Sequence, residues 1–402
     1  MDQGDARAVR LVHLADIHLG FRQYQGQTPT GINQREADIA ATLKKVVDKV
    51  IELRPEIVLV AGDVFHAVRP TNHAILHGYR QLSRLVGALP DAAVVMVAGN
   101  HDTPRTSETA CILKLFSPLG ITVVEGEANQ LPFEQLGLMV TAVPNLPGGR
   151  PTVAPDAAFK RNILLFHGEV DGVFPQFGQN QERSQLMLSR EELTAGWDYV
   201  ALGHYHVFRK VEPYAFYPGS IDYTSTNPWG ELVEERETGV AGKGIIEFDL
   251  DSGTHRFHHI PAARALVDLP PILGSGMSAA ALDEAIRDAC EGCEGGIDDK
   301  VVRLVVREVP RHVVRELDHK ALREFKRRAL HFHLDPRPET VRREAGQGAP
   351  GKRASLADTV RDKLRSRVIT ENIDREGLVA LGLHYLREAD MLSAPGMEGD
   401  AA

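Results

Sequence analysis

Five apolar runs in this chain end in side chains that pack poorly and coordinate well. Leu11-Val12-His13-Leu14-Ala15 runs into Asp16 and then His18. Ile57-Val58-Leu59-Val60-Ala61-Gly62 runs into Asp63, with His66 three residues on. Ala92-Ala93-Val94-Val95-Met96-Val97 leads to Ala98-Gly99-Asn100-His101-Asp102, closed by Thr103 and Pro104. Ile163-Leu164-Leu165-Phe166 runs into His167, and Tyr199-Val200-Ala201-Leu202-Gly203 into His204, with His206 two residues on. Runs that stay apolar at successive positions are buried on both faces, as parallel strands between other layers are. Open α/β sheets carry their chemistry at the C-terminal ends of such strands. The pattern predicts an α/β fold whose strand mouths gather these polar residues. Gly99 is expected to let the backbone turn tightly before the Asn-His-Asp triplet.

Carboxylate, amide oxygen and imidazole together suit Mn²⁺, Fe²⁺ or Zn²⁺, and the lack of cysteine among them argues against a structural zinc site. Seven such ligands divide between two ions if one carboxylate bridges. Two ions can clamp a phosphate and activate water near neutral pH.

At 402 residues the chain is long enough for two or three domains. Its 43% apolar and 25% charged residues are those of a soluble globular protein. The net charge of −9 does not announce a nucleic-acid binder, so local basic patches carry more weight than the sum. Three cysteines (Cys111, Cys290, Cys293) and a polar residue 1–10 stretch with no targeting core suggest a reducing cytoplasm. No run approaches the roughly 20 apolar residues of a membrane span. Cys290-x-x-Cys293 has no adjacent His or Cys to complete a zinc site and reads as a helix end.

Residues 20–36 form an irregular loop leaving the first strand end, and its Arg22, Tyr24 and Arg35 are candidate contacts to a substrate phosphate or strand. Amphipathic helices are predicted over 36–53 and 71–88, and a further helix over 105–118. His73 and His77, one turn apart, are read as an exposed face. Ile121–Val124 and Leu138–Val143 are expected in a second sheet. Strands at 215–217, 244–250 and 254–260 follow, the last two as a hairpin with exposed histidines. From Arg264 the pattern changes to strand, helix (278–290), strand (301–309), helix (315–329), strand (330–334). Between Lys300 and Arg328 ten Lys/Arg face four acids, a local excess that includes Arg323 and Arg327 and could form a nucleic-acid face. Residues 337–354 read as a Pro/Gly-rich linker. Two short amphipathic helices follow within 355–391, with an apolar face of Leu356, Val360, Leu364, Leu378, Leu381, Tyr385 and Leu386. Residues 392–402 are expected to be a disordered tail.

The motifs His13-Leu14-Ala15-Asp16-Ile17-His18-Leu19-Gly20, Arg22-Gln23-Tyr24, Arg35-Glu36, Ala61-Gly62-Asp63-Val64-Phe65-His66, Gly99-Asn100-His101-Asp102, Gly203-His204-Tyr205-His206 and Tyr217-Pro218-Gly219-Ser220 occur in an order with strong precedent. They resemble the calcineurin-like metallophosphoesterases, and among them the SbcD/Mre-eleven nuclease subunits of double-strand-break repair in their archaeal-like form. The resemblance covers residues 9–260. It departs locally at Gly168-Glu169-Val170 and at Ser220-Ile221-Asp222-Tyr223, neither of which holds a ligand.

The resemblance implies a metallophosphoesterase sandwich of two mixed sheets flanked by helices over 1–261. A small α+β DNA-binding cap over 262–336 and a C-terminal helical pair that binds an ATPase are implied after it. One metal would be held by Asp16, His18, Asp63 and His206, a second by Asp63, Asn100, His167 and His204, with Mn²⁺ preferred and other divalent ions possible. His101 would protonate the leaving oxygen or stabilise its charge, Asp102 would orient His101, and His66 would lie near the phosphate. The implied function is Mn²⁺-dependent exonuclease and endonuclease cleavage of DNA with an SbcC-type, SMC-like ATPase, by a homodimer in the nucleoid-associated cytoplasm. A phosphodiesterase for nucleotides or small diesters, and a non-catalytic scaffold for the ATPase, are the alternatives. The basic cap and tail argue against the first, and the complete ligand set against the second.

Overall fold

The structure, a computed structural model, describes residues 9–104, 110–173, 186–338, 356–366 and 374–392. Strand β1 (Arg10–Leu14), helix α1 (Gln34–Leu53), β2 (Ile57–Val60), α2 (Asn72–Ala88), β3 (Ala93–Val97) and β4 (Thr122–Val124) build a parallel half-sheet in that strand order. The chain then crosses to a second sheet through β5 (Asn129–Phe133), β6 (Leu138–Val143) and β7 (Arg161–His167). Two-residue strands β8 (Glu169–Val170) and β9 (Met187–Leu188) and the short α3 (Arg190–Leu193) precede β10 (Tyr199–Gly203), β11 (Arg209–Glu212) and β12 (Ala215–Tyr217). Helix α4 (Pro228–Thr238) returns it to a hairpin, β13 (Gly244–Asp249) and β14 (Thr254–His259), whose first strand pairs antiparallel with β1. The two six-stranded sheets run β14-β13-β1-β2-β3-β4 and β11-β12-β10-β7-β6-β5.

The continuous apolar runs are explained by burial on both faces. In β7, Ile163 and Leu165 join Leu11, Leu59, Val95 and Tyr199 between the sheets, while Leu164 and Phe166 pack outward with Leu193, Trp197 and Leu202. Helix α1 covers the far face of the first sheet with Ile39, Leu43, Val46, Val47 and Val50, all buried. Each such side chain contributes about 2 kcal/mol on transfer from water. Asn33 caps α1 by accepting the Arg35 N–H, and Thr71 caps α2 by accepting that of Ala74.

Several local expectations change. Thr122–Val124 lies at the edge of the first sheet, beside Val95–Val97, and not in the second. Consecutive strands joined by a short crossover usually pair this way. In place of a helix over 105–118 a 3₁₀ helix covers Ile112–Leu119, where Pro118 offers no N–H for an α-helical bond; residues 105–109 lie outside the described residues. His258 is not exposed: it is 8% accessible, and its Nε2 lies 2.7 Å from Glu247 Oε2.

The cap carries β15 (Leu266–Leu273), α5 (Ala279–Glu291), β16 (Val301–Arg307), α6 (Arg311–Arg315), α7 (His319–Arg328) and β17 (His331–Pro336), the strands all parallel. Of the expected helix over 315–329, Arg315 ends α6 and the rest forms α7 from His319 to Arg328. Asp318 breaks them by capping α7, where it accepts the Lys320 and Ala321 N–H groups. The cap belongs to the same compact unit as the sandwich, Met1–Glu339. It is tied there by Arg264 on Asp38 (2.7 Å), by Arg303 over the Trp229 ring (4.9 Å) and by His331 stacked on Tyr24 (4.0 Å, 16°).

The second unit, Thr340–Ala402, contains α8 (Leu356–Ser366) and α9 (Arg375–Leu392). Leu364 meets α9 at Gly382, where an added Cβ would lie 2.7 Å from Leu364 Cδ1, and Val379 is buried. Leu356, Leu381 and Tyr385 stay exposed. The single apolar face expected from sequence is thus divided between a helix–helix seam and an outer surface. Most of the expected linker (339–354) and nearly all of the expected tail (393–402) lie outside the described residues.

Candidate metal centre

Pairing between strands does not stop where the strands stop. The Asp16 N–H donates to Gly62 O (3.0 Å), His18 N–H to Asp63 O (2.9 Å) and Leu19 N–H to Val64 O (2.9 Å), so the segments after β1 and β2 run on side by side. Register within the second sheet sets Gly203 beside His167, which brings His204 next to it. Four of the candidate ligands adopt left-handed backbone angles: Asp16, His18 and Asp63 at φ 50° and His204 at φ 103°. Each such non-glycine residue costs about 1–2 kcal/mol, and such strain persists where surrounding bonds over-determine it, commonly at functional sites. Gly99 serves differently from the tight turn expected of it. A Cβ there would overlap Asp63 Oδ1, so the position needs space.

These elements bring all seven expected ligands together in two groups. Asp16, His18 and His206 form one, with His18 Nε2 3.0 Å from His206 Nε2. Asp63, His167 and His204 form the other, where the Asn100 amide oxygen lies 2.9 Å from His167 Nε2 and 3.1 Å from His204 Nδ1. Asp63 Oδ2 faces both, at 3.8 Å from His18 Nε2 and 3.6 Å from His167 Nε2, while Oδ1 accepts the His101 N–H at 2.9 Å.

The electrostatics call for a cation. His167 Nδ1 donates to the Ala61 carbonyl oxygen at 2.7 Å, so its Nε2 presents a lone pair to an amide oxygen that is also an acceptor. Two acceptors this close are placed to share a cation. Burial pushes the His167 imidazole down to about 4 and His18 well below its ordinary value, keeping both neutral and ligand-ready. Burial, and then Asp63, push the Asp16 carboxyl up. Among the described residues no Lys or Arg lies within ion-pair distance of Asp16 or Asp63. Buried carboxylates without a cationic partner are costly, and divalent cations supply the missing charge. The donor set therefore fits hard or borderline divalent metal ions.

His101 and His66 sit beside this centre. His101 lies 4.8 Å from the His18 ring and stacks on His66 at 5.0 Å. The Asp102 carboxylate does not orient His101. It accepts the N–H groups of Phe65 (2.9 Å), Val64 (3.1 Å) and Gly99 (3.1 Å), stapling the loops after β2 and β3 together. Burial and Asp63 push its carboxyl up to about 7 against those bonds. His101 is oriented instead by the His66 carbonyl, 2.8 Å from Nδ1. No sequence signal marks that partner, because a main-chain oxygen has no residue type.

The candidate DNA contacts divide. Arg35 is 3% accessible and held by Asp222 (2.8 Å), Asp38 (3.1 Å) and the Tyr223 carbonyl (2.9 Å), so it is not a surface contact. Tyr24 is occupied by its stack on His331. Arg22 is exposed and paired with Glu36. Arg323 is exposed on α7, and Arg327, also exposed, pairs with Glu324. His73 Nδ1 lies 3.6 Å from the carboxylate of the buried Glu36, and His73 contributes to neither group of ligands. Sequence reading also missed Glu231 and Lys243, buried behind His206. Burial opposes the charge of Glu231, yet Lys243 and His206 hold its carboxyl down at about 2.

Comparison with known proteins places this geometry. A calcineurin-like phosphoesterase family model matches residues 9–208. The DNA double-strand break repair protein Mre11 of Methanococcus maripaludis is 25% identical over 252 residues, 60% of this chain and 63% of that protein. Those of Saccharolobus solfataricus (27%, 49% of each chain) and Aeropyrum pernix (30%, 53% of each) are similar. The chain thus spans between 49% and 63% of the length of these relatives. Residues 9–208 thus match the calcineurin-like phosphoesterases, and the chain is similar to archaeal Mre11 proteins, which supports a metallophosphoesterase of that kind.

Proposed function

We propose that the chain is a metal-dependent phosphodiesterase that cuts DNA in double-strand-break repair. The observation that carries this reading is the convergence of lone pairs on two points with Asp63 between them. Asp16, His18, Asp63 and His206 would hold one divalent ion, and Asp63, Asn100, His167 and His204 the second. Mn²⁺ suits this mixture of oxygen and imidazole donors. Two bound ions supply charge neutralisation on a phosphodiester and activation of water. The chain's own residues do the rest. Asp63 keeps one oxygen on the His101 N–H and turns the other to both groups. His101, oriented by the His66 carbonyl at Nδ1, would give a hydrogen bond or proton to the departing oxygen.

DNA as substrate is supported by the relatives, whose printed names are of double-strand break repair proteins, and by the exposed basic residues of α7. We extend the proposal, on the resemblance of the motifs, to an SMC-like ATPase partner engaged by 355–391, whose exposed Leu356, Leu381 and Tyr385 offer apolar surface, and to a homodimer as the working form. Purified protein with Mn²⁺ is offered duplex DNA, single-stranded DNA and a chromogenic small diester. Cleavage of DNA supports the reading, cleavage of the small diester alone makes the protein a small-diester enzyme, and cleavage of none makes it a scaffold. Truncation after Pro350 should leave that cleavage intact and abolish co-purification with the ATPase.

A further inference from the structure

Helix α4 carries no residue of the strand-mouth pattern, yet it grips the turn that presents two of the ligands. Glu231 and Glu234, three apart on one helical face, point to neighbouring residues of that turn. The Tyr205 hydroxyl donates to Glu234 Oε2. Glu231 Oε1 lies 3.9 Å from His206 Nδ1 and accepts the Ser225 N–H at 3.3 Å, while its Oε2 is ion-paired with Lys243. Lys243 Nζ donates to the His206 carbonyl oxygen at 2.8 Å, lies 3.5 Å from Glu235 Oε1 and sits 4.5 Å above the Tyr223 ring. Glu231 is 6% accessible and Lys243 3%.

A buried ion pair is weak evidence for stability, since desolvating both charges offsets most of their attraction. This pair holds one residue by both ends, the ring through Glu231 and the main chain through Lys243. The approach to Nδ1 is longer than a hydrogen bond and close enough for the carboxylate to favour the tautomer with hydrogen on Nδ1. That leaves the Nε2 lone pair facing His18 Nε2, 3.0 Å away. A carboxylate behind a ligating imidazole is a general way to fix its orientation and raise its basicity. The other group is held differently, with His167 backed by the Ala61 carbonyl.

We propose that Glu231, with Lys243, is the positioning residue for His206 and sets the cation affinity of the Asp16–His18–His206 group selectively. The proposal rests on the two-cation reading above. Glu231→Gln keeps the shape and removes the charge. Isothermal titration of the full chain with MnCl₂ should then show one equivalent weakened about 10–100-fold and the other unchanged.

The single variant upsets the charge balance of a buried group that also holds Glu235, so a second variant separates stability from positioning. In Glu231→Gln/Glu235→Gln/Lys243→Met all three buried charges are gone, and the thermal midpoint in EDTA should recover toward the parent while the one Mn²⁺ equivalent stays weak. Native affinity at both equivalents in Glu231→Gln overturns the proposal. So does equal weakening of both, or return of Mn²⁺ affinity together with stability in the triple variant. A parent chain that takes up no Mn²⁺ overturns the metal reading itself, and this arm distinguishes that failure from the others.

Discussion

Two clusters of buried carboxylates lie in the sandwich domain, and their charge is balanced in opposite ways. Asp38 and Asp222 are met by Arg35 and Arg264, with Thr42 adding a hydroxyl to Asp222 at 2.7 Å. Asp16 and Asp63 are met by neutral imidazoles, an amide oxygen and main-chain N–H groups. The first cluster closes on itself: every charge has an opposite within the chain, and its work is to join α1, the 222–223 segment and the start of the cap. The second has lone pairs on all sides and needs something positive from outside. Burial and polarity are shared by both, so neither identifies a functional site. The sign of the partners does.

The largest effect that would break this contrast is at Asp63. Asp63→Ala should lose both Mn²⁺ equivalents by titration and reduce DNA cleavage to background, while the metal-free fold survives because a buried like charge has been removed. Retention of either equivalent with cleavage would show that Asp63 does not serve both groups. At the self-neutral cluster the outcome should be inverted. Arg35→Met strands Asp222, while Arg264 still holds Asp38, and breaking a buried pair of this kind costs about 3–5 kcal/mol of stability. Denaturant unfolding in EDTA reads that loss, and Mn²⁺ stoichiometry of the folded fraction should not change. A stable Arg35→Met chain with weakened DNA binding would return Arg35 to the surface role that its burial denies.

His101 sharpens the distinction between holding a metal and using it. His101→Ala should keep both Mn²⁺ equivalents and lower single-turnover cleavage about 10²-fold, the lower end of general acid catalysis. Loss of an equivalent would make His101 a ligand, as its place in a group with His18 and His66 allows. The smallest effect is at the cap junction. Tyr24→Ala removes the stack on His331 and should cost about 1 kcal/mol in unfolding experiments, with metal binding unchanged. DNA affinity falling with stability unchanged would make Tyr24 a nucleic-acid contact.

The sequence by itself determined the strand mouths. Apolar runs buried on both faces can be only interior strands, and the polar residues that end them must emerge at one edge of the sheet. This is why Asp16, His18, Asp63, Asn100, His167, His204 and His206 could be named as a set, and why the alternation of helix and strand gave the α/β class. The same local logic placed α1, α2 and the cap strands, because amphipathic period and turn residues lie within a few positions of each other. Tertiary structure decided what depends on residues far apart in the chain. Arg35 and Asp222 are 187 positions apart, and burial of the pair turns a surface arginine into a core one. Asp102 is one residue from His101 yet bonds to the loop after β2, since two N–H groups there and that of Gly99 outcompete an imidazole. Helix α4 reaches His206 from 25 residues downstream through Glu231. Charge in a folded interior is settled by whichever partner the packing brings within reach, and that partner leaves no mark on the residues nearby in sequence.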